Sequence, residues 1–181
     1  MSINLLDFKG LFLRHRRIFF SHYAYANMIY NFLLNISPPL IRYIFLKISL
    51  GRFGSKSFID YGSYIRYPSK IQIGKNVEIN RGFQIYPSWA NGNYGIVIED
   101  EVTIGPNVTI FGAGQKYEGD KFLDVSSGIH IKKNAYIGGN CVIRYGVVIG
   151  EKSIVAAGSV VVKDVPDGSV VVGNPAKTLH R

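Results

Sequence analysis

From Phe53 onward an aliphatic residue recurs every six positions, and few folds accept that period. The positions are Phe53, Ile59, Ile65; Ile73, Ile79, Ile85; Ile98, Ile104, Ile110; Ile131, Ile137, Ile143; and Ile149, Val155, Val161. All 15 are apolar and 14 are Ile or Val. In a chain about half apolar, chance matches so many on the order of one time in 10⁴ to 10⁵, before gaps are chosen. Helices repeat near 3.6 and strands at 2, so six fits neither alone. It fits a short strand and a tight corner, with one branched side chain turned inward per face. A mostly small residue four places later suits the bend: Ser57, Ser63, Ser69, Val77, Ala135, Cys141, Val147, Ser153 and Ser159. Such repeats predict a mainly β chain folded as a parallel β-helix. Three hexads close one triangular coil, so five coils are expected, a prism roughly 20–24 Å tall at about 4.8 Å per coil.

The interruptions carry a second message. Extra residues enter after Ile65, Ile85 and Ile110, each time after the third hexad of a coil. All three insertions therefore leave the prism at one corner and stack along one edge. A stacked row of loops bounds a cleft.

Charge divides the chain where the repeat begins. Residues 1–52 carry Lys9, Arg14, Arg16, Arg17, Arg42, Lys47 and Arg52 against Asp7 alone, while residues 53–181 are nearly balanced. Glycine runs the other way, with Gly10 the one member before Gly51. The expected organisation is an amphipathic helical segment over 1–52 and a β-helix domain with its tail over 53–181. Ser37-Pro38-Pro39 splits the helical segment in two. Ile18 to Ile41 lacks formal charge, yet His22, Asn27, Asn31, Asn35 and the proline pair interrupt it, so a membrane span is not expected. A signal peptide is not expected either, since its apolar stretch is too short. A basic, aromatic, non-spanning helix pair suits a membrane interface, and it equally suits an apolar cover for one end of the prism. Both readings stay open at this stage.

One cysteine, Cys141, excludes an internal disulfide framework and a cysteine-rich zinc site. The prism region contributes only His130 and the tail His180, too few for a three-histidine zinc centre, so no metal is expected. No helix-turn-helix, finger or aromatic sheet motif points to nucleic acid.

Five stretches carry a family resemblance: Ile104-Gly105-Pro106-Asn107-Val108-Thr109-Ile110, Tyr136-Ile137-Gly138-Gly139-Asn140, Ala156-Ala157-Gly158-Ser159-Val160-Val161, Lys163-Asp164-Val165 and Gly173-Asn174-Pro175-Ala176-Lys177. With the hexads, residues 53–181 resemble the hexapeptide-repeat acyltransferases. They are most similar to the sugar O-acetyltransferases of capsule, lipopolysaccharide and exopolysaccharide synthesis. The resemblance implies a left-handed β-helix, acetyl-CoA as donor, a saccharide acceptor and a homotrimer with clefts between prisms. It places Gly139, Ala157 and Gly158 at the pantetheine arm, Lys163 and Lys177 near the nucleotide phosphates, and Pro175 against the adenine. Small residues let a ligand approach backbone, and lysines suit phosphate.

At the family's catalytic histidine the sequence departs. Gln115, in Gly112-Ala113-Gly114-Gln115-Lys116-Tyr117, stands at that position. An amide cannot take a proton from a sugar hydroxyl. Four resolutions are open. His130, one residue before inward Ile131, points outward toward a cleft. Glu118, Asp120 or Asp124 in the same loop is the base. The acceptor is an amino sugar that needs less help. Or catalysis is lost and the chain is a trimeric binding homologue.

The loop after Ile85 favours a saccharide, since Tyr86, Trp89 and Tyr94 suit stacking on sugar faces. Lys116, with Arg81 and Lys121, suits a sugar phosphate. The expected setting is cytoplasmic, at the inner membrane face, with peripheral contact to membrane or a lipid-linked glycan.

Overall fold

The computed structural model describes residues 5–89 and 95–179, with side chains from residue 18 onward except residue 19. Two helices, α1 (Leu5–Ile36) and α2 (Pro39–Ser49), precede a left-handed parallel β-helix. Strands of two or three residues alternate with corners, as the hexad period requires. Sheet A stacks Arg52–Phe53, Ile71–Ile73, Ile96–Ile98, Ile129–Ile131 and Val148–Ile149. Sheet B stacks Phe58–Ile59, Glu78–Ile79, Thr103–Ile104, Tyr136–Ile137, Ile154–Val155 and Val170–Val172, with Lys177–Thr178 antiparallel at its edge. Sheet C stacks Tyr64–Ile65, Gln84–Tyr86, Thr109–Phe111, Val142–Ile143 and Val160–Val161.

The register puts equivalent hexad residues side by side, such as Ile73 with Ile98 and Ile143 with Val161. Their side chains fill the prism, and every hexad residue is buried. The five expected coils are present. A partial sixth follows, through the bridge of Val165 to Ile149 and the pairing of Val170–Val172 with Ile154–Val155. Most of the small residues expected at corners are buried. Ser69 is the exception: the insertion after Ile65 folds as the 3-10 turn Pro68–Lys70, which leaves Ser69 exposed. All three insertions leave between sheet C and sheet A.

The helices close the first-coil end, where strand-edge backbone groups lack a neighbouring coil. Asparagine side chains supply the missing pairing. Asn31 donates from Nδ2 to Ile65 O at 2.9 Å and accepts from Ile65 N–H at 2.8 Å. Asn35 does the same one helical turn later, with Ser63 O at 3.1 Å and Gly62 N–H at 2.9 Å. Asn27 donates to the Tyr64 hydroxyl at 2.9 Å. Buried Arg42 donates to the carbonyls of Leu34, Ile59 and Asp60, and Lys47 to that of Phe53 at 2.7 Å. Leu34, Leu46 and Leu50 join the core between them. The helices thus cover one end of the prism with both kinds of contact: Leu34, Leu46 and Leu50 meet the core, and a polar stripe beside them pairs the end coil's free backbone groups.

Candidate active site

Two corners border sheet C, and different chemistry gathers at each. At the corner from sheet B to sheet C, successive coils put a residue in the left-handed backbone region: Gly82, Asn107, Asn140 and Gly158. Asn107 donates to Asn140 Oδ1 at 3.3 Å, so the middle coils carry a side-chain ladder there. The fifth coil has Gly158 instead, and a Cβ on it would meet nothing within 4 Å. Its N–H donates to Gly139 O at 2.9 Å, and Ala157 beside it is exposed. The last coils therefore offer a bare backbone ledge where a ligand can lie close to peptide groups.

The other donor-site residues are spread more widely. Lys163 is exposed at the opposite corner, after Val160–Val161. Pro175 is exposed in the turn after Val170–Val172, following a cis bond from Asn174, and Ala176 N–H ties that turn to Val160 O at 2.8 Å. Lys177 is exposed on the antiparallel edge strand, paired with Val172.

At the corner from sheet C to sheet A, the long insertion folds as a hairpin, Ala113–Glu118 with Lys121–Ser126. Gln115 lies opposite Asp124, and its Nε2 donates to Asp124 Oδ1 at 3.2 Å. Lys116 Nζ is 3.9 Å from Glu118 Oε1, both well exposed. Beneath the hairpin an open groove of about 330 Å³ runs over sheet C, lined by Phe111, Gln115, Val142, Arg144, Tyr145 and Val160 among others. Arg144 sits 4.4 Å over the Tyr145 ring and donates to its hydroxyl at 2.7 Å. A Cβ on Gly114 would fall 2.3 Å from that ring, so glycine is what lets the hairpin close down on it.

His130 belongs elsewhere. Its side chain leaves sheet A, and Nε2 lies 2.6 Å from Glu99 Oε1, whose other oxygen accepts from Lys133 N–H at 2.9 Å. Glu99 and Lys133 line a separate groove of about 280 Å³ with Arg52, Gln72 and Asp100. Gln115 and His130 thus serve different faces of the prism.

Tyr86 is half-buried and continues a row of rings along sheet C, 5.4 Å from Tyr64 and 5.3 Å from Phe111. Its hydroxyl donates to Gln84 Oε1 at 2.8 Å. Trp89 is exposed in the next loop, and Tyr94 lies outside the described residues. Cys141 is buried, and burial pushes its thiol pKa up, which disfavours a nucleophilic role. Among the described residues no group of three His, Cys, Asp or Glu side chains is placed to hold a metal.

Sequence reasoning missed Arg144, Tyr145 and Glu99. Nothing local marks them, because their roles depend on where the hairpin folds and which residue stacks one coil away.

The profile described as Bacterial transferase hexapeptide (six repeats) matches residues 128–163. The chain is 32% identical over 141 residues to the galactoside O-acetyltransferase of Escherichia coli (strain K12). That match covers 75% of this chain and 66% of the relative, so the chain spans just under two thirds of that protein's length. A hexapeptide-repeat acetyltransferase of Vibrio cholerae O1 biovar eltor, solved with acetyl coenzyme A, is similar at TM-score 0.79 and 29% identity, over 88% of this chain and 87% of that one. A galactoside acetyltransferase solved with coenzyme A is similar at TM-score 0.77 and 29% identity, over 88% and 80% of the two chains. Period, prism and similarity converge: this chain belongs to the hexapeptide-repeat acetyltransferase family, related to the sugar O-acetyltransferases.

Proposed function

We propose that the protein transfers an acetyl group from acetyl-CoA to a saccharide, over sheet C between the glycine ledge and the hairpin. The observation that carries this reading is the pairing of those two borders. The ledge at Gly139, Ala157 and Gly158, open at Gly158 and exposed at Ala157, suits the pantetheine arm, and the Gln115–Asp124 pair stands on the opposite wall. Lys163, Pro175 and Lys177 are the nucleotide-end contacts of this scheme. Two similar structures solved with coenzyme A or its acetyl ester support the donor. The relatives' names support a sugar acceptor.

In the reaction an acceptor oxygen or nitrogen attacks the thioester carbonyl. The carbon–sulfur bond breaks, the CoA thiolate leaves, and the acceptor proton passes to a base. Gln115 orients the acceptor, and Asp124, held by its amide, takes the proton. An exposed carboxylate is a weak base for a hydroxyl, so the same pair gives an amino-sugar acceptor as the second reading. Tyr86, Trp89 and Tyr94 form the acceptor side, and Lys116 meets an anionic group on it. His130 stands as the alternative base, oriented by Glu99.

The scheme treats residues 1–52 and 53–181 as separate working parts and sets the reaction at the cytoplasmic membrane face, on a free or lipid-linked glycan. It also includes a homotrimer. The hairpin exposes Tyr117, Phe122 and Leu123, with the two rings 5.1 Å apart, and such a tip gains from burial against another copy. Light scattering should give three times the chain mass.

Titration calorimetry with acetyl-CoA tests the donor site. Binding is expected, and Ala157→Phe should weaken it about tenfold or more by filling the ledge, with thermal unfolding unchanged. A wild type that releases no heat with acetyl-CoA overturns the proposal. Binding without transfer to any sugar hydroxyl or amine points to the non-catalytic homologue.

A further inference from the structure

The helical cap is amphipathic in the inverted sense. Beside Leu34, Leu46 and Leu50, which enter the core, polar residues face the protein and much of the hydrocarbon faces out. Asn27, Asn31 and Arg42 are buried against the first coil, whereas Tyr25, Phe32 and Ile36 on α1 and Leu40, Ile44 and Ile48 on α2 are exposed. Leu40 and Ile48 are 73% and 79% exposed, values that place whole side chains in solvent. Monomeric proteins rarely leave so many large apolar groups together on one surface.

Charge selects the occupant. The segment that carries this surface has seven basic residues and Asp7 alone, with Arg14, Arg16 and Arg17 preceding the exposed stretch on the same helix. A second copy would bring two such segments together and gather like charge. Arg42 and Lys47 are engaged with carbonyls of the first coil. The cations that an anionic surface gains from are therefore Lys9, Arg14, Arg16 and Arg17 at the start of α1, and aromatic residues suit the headgroup level. No helix among the described residues is long and apolar enough to cross a membrane, which fits helices lying in the interface plane.

We propose that the outward faces of α1 and α2 lie in the headgroup–acyl boundary of an anionic bilayer and hold the prism with its first coil toward the lipid. This deepens the membrane-facing part of the functional reading and depends on no catalytic step. In that pose the ring row Tyr64, Tyr86 and Phe111 climbs sheet C from the cap to the Gln115 groove. At about 4.8 Å per coil the groove opens on the order of 10–20 Å above the cap, within reach of a sugar carried on a lipid phosphate.

Flotation of the full-length chain with vesicles tests the surface separately from acetyl transfer. Binding to phosphatidylcholine vesicles containing phosphatidylglycerol is expected, with much weaker binding to phosphatidylcholine alone and loss in high salt. The triple variant Phe32→Ser, Leu40→Ser, Ile48→Ser should bind about a hundredfold more weakly while still binding acetyl-CoA. As a second readout, Phe32→Trp in a Trp89→Phe background should be quenched by brominated lipid. Equal vesicle binding by the triple variant, absence of quenching, or indifference to phosphatidylglycerol each overturn the proposal. So does a wild type that ignores vesicles while the variant loses mass on a sizing column, since a second copy then covers the face.

Discussion

Arg42→Met should lower the thermal midpoint more than any other single substitution in the helical cap, by about 6–12 °C. The side chain is 3% exposed and reaches the end coil from α2. Nε and Nη2 donate to Ile59 O at 3.3 and 3.2 Å, Nη2 also to Asp60 O at 2.9 Å, and Nη1 to Leu34 O. Methionine keeps the stem and removes every donor. The Leu34 and Ile59 carbonyls are then left at a closed interface, at about 1–3 kcal/mol for each that water does not reach, while Asp60 O keeps the Ser63 hydroxyl at 2.7 Å. Part of that loss is offset, because the buried guanidinium is itself costly: burial pushes its pKa down, opposed by Tyr61, Asp60 and Tyr30. The Tyr61 ring, 4.5 Å from Cζ, also holds it. A net loss of about 3 kcal/mol follows. Differential scanning fluorimetry of Arg42→Met beside Arg42→Lys reads it, with the lysine variant intermediate. A shift below about 2 °C for the methionine variant would show that the helices are not what closes the first coil.

Asn31→Ala tests the same interface at a smaller scale. It removes both bonds to Ile65 and should cost about 1–3 kcal/mol.

Those cap residues also show what the sequence made visible and what it hid. The β-helix was legible because each coil repeats one demand, an inward branched residue at every strand, so Ile73, Ile98, Ile131 and Ile149 announce one another. The common corner of the insertions was legible for the same reason. The spacing of Asn27, Asn31 and Asn35, four residues apart on one helix face, is visible in the sequence but reads there only as interruption of an apolar run. Its meaning depends on the partner: a strand edge wants amides, and nothing inside residues 18–41 states that a strand edge is there. The site divides in the same way. Gly158 stood out by motif, and Gln115 by contrast with the family pattern. Arg144 and Tyr145 reach the groove only because the hairpin folds over sheet C, a three-dimensional relation that a six-residue period does not encode.

Gln115→His should raise the rate of acetyl transfer to a sugar hydroxyl by about 10²–10⁴-fold, the usual contribution of a well-placed general base. The hairpin register already puts position 115 opposite Asp124, and the Gln115 amide bonds that carboxylate at 3.2 Å. An imidazole there gains a carboxylate partner that fixes its tautomer and orientation, leaving the other ring nitrogen for the acceptor. The neighbouring negative charge favours the protonated ring and raises the pKa of the new histidine above its ordinary value of about 6.5. Only the neutral ring accepts a proton. The rate of the variant should therefore climb as pH rises through that pKa and level off above it, whereas the wild type lacks this titration. Adding Asp124→Asn to the variant should lower the rate and move the rise to lower pH. The gain should appear in kcat, with KM for acetyl-CoA little changed, because position 115 lies across sheet C from the ledge. Steady-state release of CoA thiol against pH measures all of this. A variant no faster than wild type at any pH means that the hairpin does not face the acceptor. In that case the base must be sought at His130 and Glu99, on the other face of the prism.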